Sequence, residues 1–151
     1  MSPLRTLRCR TVAEGRFRQM NHVRGRPPFA VDEPSGIPVA DPAPQPLEVL
    51  LSALGSCLVI GIRANAVARA IALSRLELEI EADVSSAPMD GTGPEPLGFE
   101  TVRVAVHLEA DAPRDALAAL VARAALWSPV ANTLHNGARL DIALAPPPPR
   151  G

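Results

Sequence analysis

At 151 residues and 47% hydrophobic composition, the chain is long enough to bury a core without disulfides or a structural metal, and short enough to form a single domain over residues 1–151. A net charge of -1 and an aromatic content of 3% argue against a general polyanion partner, and nucleic-acid binding lacks its usual footprint of interleaved basic and stacking side chains. Lysine is absent and every basic residue is arginine, a bias of composition that carries no functional weight.

The two cysteines, Cys9 and Cys57, lie far apart, and no CxxC or Cys/His ligand spacing occurs, so neither a metal site nor a cofactor is expected. The first ten residues, MSPLRTLRCR, lack the apolar run of a signal peptide; the expectation is a cytoplasmic protein with reduced thiols.

Residues 6–31 alternate polar with less polar side chains in TLRCRTVA and GRFRQMNHV, and PPFAVDEP adds a third extended piece, so short strands are predicted. Seven arginines from Arg5 to Arg26 face a single Glu14 and make this region locally basic. Most read as a solvated strand face, although one could turn inward to steer an anion or a thiolate. The proline-rich stretch 32–45 reads as a stiff, extended connection belonging to the same domain.

The longest apolar segment follows, from Pro46 to about Ala70. Pro46 suits the first helical position, and Glu48 two residues later can accept a free amide and face the positive helix end. Glu48, Arg63 and Arg69 interrupt the segment, so a buried soluble helix is predicted in place of a membrane span. At about 1.5 Å per residue it would run roughly 35 to 40 Å, more than one layer of a small domain covers, which calls for a partner such as a second subunit. Counting by threes and fours from Cys57 gathers Leu50, Ala53, Leu54, Ile60, Gly61 and Ala64 into one face of apolar and small residues. Gly55 and Gly61 each cost about 1 kcal/mol of helix stability relative to alanine, a loss that close packing, or room beside the sulfur, would offset.

After the helix, RLELEIEADV places Leu76, Leu78, Ile80, Ala82 and Val84 on one face and acids on the other, the pattern of a half-exposed strand. TVRVAVHLEA repeats it with Val102, Val104, Val106 and Leu108 inward and His107 outward, and the polar SSAPMDGTGPEPLG between them predicts a hairpin with a long, mobile tip. PRDALAALVARAALW is a second helix with Leu117, Leu120, Val121 and Ala124 as its stripe. In SPVANTLHNG, Ser128 caps a short further helix that begins at Pro129 and ends at Gly137. ARLDIALA, with Leu140, Ile142 and Leu144 on one side, reads as a last strand, and the prolines from Pro146 begin a disordered tail over 146–151. The element order is α+β with antiparallel sheet and no βαβ repeat, and no GxGxxG or P-loop motif points to a nucleotide.

PFAVDEP, then PLEVLLSALGSCL, two alternating strands and SPVANTL together resemble the OsmC/Ohr family of hydroperoxide-resistance proteins over nearly the whole chain. The resemblance implies an OsmC-like intertwined homodimer, with long central helices wrapped by antiparallel sheets of both subunits and sites at their interface. In peroxidase members a thiolate at the position matched by Cys57 attacks the O–O bond of an organic hydroperoxide, and a second cysteine before a proline closes a disulfide that a dithiol reopens. Here that second position is Ser128, whose hydroxyl cannot form a disulfide. Those members also often carry a carboxylate directly after the helix-opening proline, where this chain has Leu47; Glu48 is one residue, about 100° of rotation, further on. The activating arginine comes from the N-terminal strands, with Arg16, Arg18 and Arg24 as candidates and Arg24 preferred for its place in VRGRPPFAVDEP.

The candidate catalytic residues are therefore Cys57, Arg24, Ser128 and Glu48, each with a plainer reading beside it. Cys57 is also explained as a small buried hydrophobe, Ser128 and Glu48 as helix caps, Cys9 as a strand residue or a resolving thiol, and Trp127 and Phe17 as core or pocket lining. Two functions remain open. One is a single-cysteine thiol peroxidase acting on organic hydroperoxides in oxidative-stress defence, with an external thiol reductant; the other is a catalytically silent homodimer binding a small apolar ligand at its interface. Neither involves nucleic acid or a membrane.

Overall fold

The computed structural model describes residues 3–33, 43–84, 92–93 and 98–147. Three short strands open the chain, β1 (Arg10–Ala13), β2 (Gln19–His22) and β3 (Phe29–Val31), and form an antiparallel meander in that order. Across β1 and β2 the Thr11 hydroxyl donates to Asn21 Oδ1 at 2.7 Å, and between β2 and β3 the chain reverses through Arg24 and Gly25, both left-handed (φ 46° and 64°). The Arg26 N–H closes that turn on the Val23 carbonyl at 2.9 Å. Two successive positive φ values give the mirror-image turn whose twist suits a hairpin, and Gly25 adopts one of them without steric cost.

Helix α1 (Pro46–Ala68) begins and ends as local chemistry requires. Pro46 occupies the first position, and the Glu48 carboxylate accepts the Gln45 N–H at 2.8 Å, half of a capping box. At the far end Ala70 is left-handed (φ 52°), its N–H bonds to the Val67 carbonyl, and the Ile71 N–H reaches back to Ala66 at 3.0 Å. This is a Schellman stop built on alanine in place of the usual glycine. At 23 residues α1 is long and apolar enough to cross a membrane by composition alone. Within the protein its glycines lie against side chains: a Cβ at Gly55 would come within 2.7 Å of Ile80 Cδ1, and one at Gly61 within 3.2 Å of Ala124 Cβ.

Strands β4 (Leu73–Val84) and β5 (Phe99–Ala110) form the second sheet. The Ser74 hydroxyl bonds to the Glu109 carbonyl at one end and Arg103 grips Asp83 at the other, so the pair runs antiparallel. The expected alternation holds on both strands, with Leu76, Leu78, Ile80 and Ala82 facing Val102, Val104, Val106 and Leu108 as the covered set and His107 outward. Val84, expected inward, is exposed where the strand ends. The outer acids answer to cations: Arg75 bonds to Glu77 and Glu109, and Arg103 forks onto Asp83.

Helices α2 (Arg114–Trp127) and α3 (Pro129–Asn136) complete the chain, joined at Ser128 with a bend of 59°. Leu120 and Ala124 are buried on the predicted stripe of α2, and Gly137 (φ 72°) ends α3 as anticipated. The chain divides into two compact units, Met1–Ser56 with Leu78–Ala105 and Cys57–Glu77 with Val106–Gly151.

Several expectations are corrected. Residues 138–145 form no strand, and Leu140, Ile142 and Leu144 stand almost fully exposed, because no second strand in the described chain pairs with them. Phe17 and Trp127 are not core, Trp127 remaining 67% exposed, and of the face read around Cys57 only Leu54 is buried, while Ala53, Ile60 and Ala64 are exposed. The buried stripe of α1 is instead Leu54, Leu58, Ile62 and Ala66, repeating every four residues. The hairpin tip at 85–91 and 94–97, most of the connection at 34–42, and the tail at 148–151 lie outside the described residues.

Alanine in the left-handed region costs roughly 1–2 kcal/mol. Ala70→Gly is therefore expected to stabilise the protein by about 0.5–1 kcal/mol after the extra chain entropy of glycine, read as a thermal midpoint a few degrees higher. The Arg103 fork holds the Asp83 carboxyl below its ordinary 3.8. A carboxyl lowered on folding adds stability that is present above its unfolded value and lost as pH falls through its folded value. Thermal melts taken down through that acid range should show a shallower loss in Asp83→Asn than in the parent, a small difference because the pair is solvated.

Candidate functional site

Cys57 sits at mid-helix in α1, half-buried beside the stripe formed by Leu58 and Leu54. One turn further, on the same side, Gly61 faces Ala124 of α2 so closely that an added Cβ would meet Ala124 Cβ at 3.2 Å and its Cα at 3.5 Å. Two small residues thus bring the α2 backbone down onto α1, as the glycine in this face implied. Three residues after that contact α2 ends at Trp127, and the chain turns through Ser128 toward α3.

The corner is fixed by its own hydrogen bonds. Ser128 is extended (φ -72°, ψ 116°), Pro129 takes the first position of α3, and the Asn132 side chain donates to the Leu126 carbonyl at 3.1 Å. Ser128 is 3% exposed. Its Oγ accepts the Ala131 N–H at 3.2 Å, the expected cap, and its hydroxyl donates to Cys57 Sγ at 3.2 Å. Ser128 is therefore both the cap of α3 and a hydrogen-bond donor to Cys57. The cysteine and serine separated by 71 residues in sequence share a hydrogen bond.

The remaining candidates belong to the N-terminal unit. Arg24 is exposed at the left-handed hairpin turn, Arg16 lies over the Phe17 ring at 5.2 Å, and Arg18 is half-buried with Nη1 3.8 Å from Asp32 Oδ2. Asp32 is buried, donates its N–H to the Pro44 carbonyl, and accepts the Glu33 N–H at 2.8 Å. Sequence reasoning passed over Asp32; the available signal was a carboxylate directly following the apolar strand FAV. Glu48 is occupied at the helix start, Leu47 is partly exposed, and Cys9 is an exposed free thiol. Among the described residues no group of three His, Cys, Asp or Glu side chains converges as metal ligands would.

The site combines a half-buried thiol with a hydroxyl that can share a proton with it but cannot form a disulfide. Known proteins match this chain along most of its length. The family described as OsmC-like protein matches residues 39–143, more than two thirds of the sequence. Among solved structures, an OsmC-like protein from Mycoplasma pneumoniae superposes with a TM-score of 0.73 at 17% identity, covering 88% of this chain and 89% of that one. An organic hydroperoxide resistance protein OsmC from Legionella pneumophila gives a TM-score of 0.66 at 18% identity, covering 88% and 91%. An organic hydroperoxide resistance protein from Elizabethkingia anophelis gives 0.68 at 15%, covering 91% and 93%. A search of curated protein sequences returned no match.

The 3.2 Å approach of Ser128 Oγ to Cys57 Sγ supplies a test of the local geometry. Ser128→Cys, oxidised under mild conditions, is expected to form an intramolecular disulfide with Cys57, detected as loss of both thiols to a thiol reagent and a peptide crosslink by mass spectrometry. Retention of two reactive thiols at these positions would contradict the observed facing of the side chains.

Proposed function

Because the chain belongs to the OsmC-like protein family, we propose that it is a single-cysteine thiol peroxidase that reduces organic hydroperoxides. The observation that carries this reading is Cys57, a half-buried free thiol hydrogen-bonded to a hydroxyl at the site of the α2–α3 corner. The names of the Legionella and Elizabethkingia proteins, both organic hydroperoxide resistance proteins, support the substrate class.

In this mechanism the Cys57 thiolate attacks the distal oxygen of the hydroperoxide. The O–O bond breaks, the sulfur becomes a sulfenic acid, and the leaving alkoxide takes a proton to become an alcohol. An external thiol then condenses with the sulfenic acid to release water and leave a mixed disulfide, and a second thiol displaces the first and regenerates Cys57. No internal disulfide with residue 128 forms, since that residue is serine. Arg24 is assigned the cation that favours the thiolate, with Arg16 and Arg18 as the other candidates, and Glu48 supports the start of the helix that carries the sulfur.

A homodimer is part of the proposal. Ile60, Val67, Leu126 and Trp127 are large apolar side chains that the described chain leaves exposed, the kind of surface a second copy covers. The cytoplasm would keep both thiols reduced between turnovers. The second reading, a silent member binding a small apolar ligand at the dimer interface, is favoured by Ser128 and Leu47 where peroxidase members carry a second cysteine and a carboxylate.

Reduced protein treated with cumene hydroperoxide and a sulfenate trap distinguishes the two readings. Peroxidase function predicts labelling at Cys57 at least a hundredfold faster than that of a free thiol, on the order of the rate gain that a positioned charge and substrate supply, with none in Cys57→Ser. Arg24→Asn suits the left-handed turn while removing the guanidinium, and should slow labelling without lowering the thermal midpoint. Labelling no faster than a free thiol would leave the ligand-binding reading.

A further inference from the structure

The Ser128 hydroxyl has one proton, and the surrounding bonds determine where it goes. The Ala131 N–H donates to Ser128 Oγ at 3.2 Å, so one lone pair is taken by the first turn of α3. Pro129 has no N–H, and the Asn132 N–H is committed to the Ser128 carbonyl at 2.9 Å, so the Ala131 amide is the cap of this corner. The neighbour that receives the hydroxyl proton is Cys57 Sγ at 3.2 Å. With Ser128 only 3% exposed, bulk water does not readily replace the donor. An amide drawing on the oxygen also makes its O–H a better donor, because hydrogen bonds in a chain polarise one another.

From this geometry we propose that Ser128 is a positioning residue for the Cys57 sulfur, its hydroxyl held as a fixed donor by the Ala131 amide so that the anionic sulfur is stabilised and oriented. The inference deepens the peroxidase reading by assigning a role to the serine, although the donor bond itself does not require turnover. A hydrogen bond to a charged acceptor is worth more than one between neutral groups, so the bond strengthens when the thiol loses its proton. The serine is then more than a residue left where a second thiol would stand. Besides Cys57, the ionisable groups on the elements at the corner are Glu48 and Arg63 on α1, Arg114, Asp115 and Arg123 on α2, and His135 in the last turn of α3; Arg123 lies over the Trp127 ring at 6.0 Å.

The test is alkylation of Cys57 by iodoacetamide across a pH series, without hydroperoxide, with each rate read at Cys57 by mass spectrometry. Ser128→Gly is the first variant, because glycine is tolerated at a helix N-cap at a cost of only a few tenths of a kcal/mol. It should alkylate about tenfold more slowly than the parent near neutral pH, the loss expected for one charge-assisted bond. The two rates should converge at alkaline pH, where both thiols are ionised, and Ser128→Thr, which keeps the hydroxyl, should stay within about twofold of the parent. Ser128→Ala gives the same comparison if the glycine variant does not fold, folding being checked by circular dichroism.

A rate equal to the parent at neutral pH would overturn the proposal. So would an equal slowing at every pH, the mark of altered access alone. These rates are independent of peroxidase turnover. Slowed alkylation together with no sulfenate labelling by cumene hydroperoxide would uphold the donor and reject the peroxidase; normal alkylation with rapid labelling would do the reverse.

Discussion

The close approach of α2 to α1 at Gly61 and Ala124 is the contact on which the candidate site depends. A Cβ at 61 would meet Ala124 Cβ at 3.2 Å, so the alanine side chain would have to give, and well-packed helices accommodate such insertion poorly. Glycine at this place in a helix sacrifices local stability, about 1 kcal/mol relative to alanine. What the loss permits is the delivery of the end of α2 next to Cys57, four residues before this glycine. From there the capping chemistry of α3 completes the arrangement, because the same serine oxygen that receives an amide presents its proton to the sulfur.

Ser128 also illustrates how a helix boundary can place a polar side chain beside a thiol. An N-cap must place a side-chain oxygen against the amides of the following turn, which fixes its rotamer and its unused donor direction. The 59° bend between α2 and α3 and the Asn132 bond to Leu126 hold that direction against the protein interior, where solvent competes weakly. The precision of the contact comes from backbone geometry, and the thiol gains a polar neighbour at no further cost in buried, unpaired groups; among the described residues no buried side-chain nitrogen or oxygen lacks a partner.

Much of the fold was legible because local rules and tertiary packing agree. Pro46 and Glu48 mark the start of α1, strict alternation marks β4 and β5, and Ser128, Pro129 and Gly137 bracket α3. The α1 stop was less visible, since a Schellman turn on Ala70 carries none of the glycine signal. The pairing of Cys57 with Ser128 was readable only through resemblance, as no spacing rule links residues 71 apart. The faces of α1 were misassigned around Cys57 because a helix so rich in alanine and leucine has weak amphipathic contrast, and neighbours, rather than composition, decide that Leu58 and Ile62 are covered while Ile60 is not. Buried Asp32 and half-buried Arg18 were likewise invisible to periodicity, since neither polarity nor spacing distinguishes a paired charge from a solvated one.

The stretch from Ala138 to Ala145 kept the alternation of a strand without acquiring a ladder. Leu140, Ile142 and Leu144 project from one side of a backbone that forms no regular pairing within the described chain. Any edge it joined would be extended in one direction only as far as Pro146 and Pro147, which lack the amide hydrogens that propagate a sheet. The prolines therefore act as a length limit: any strand formed here ends before Pro146, however far the edge it joins continues.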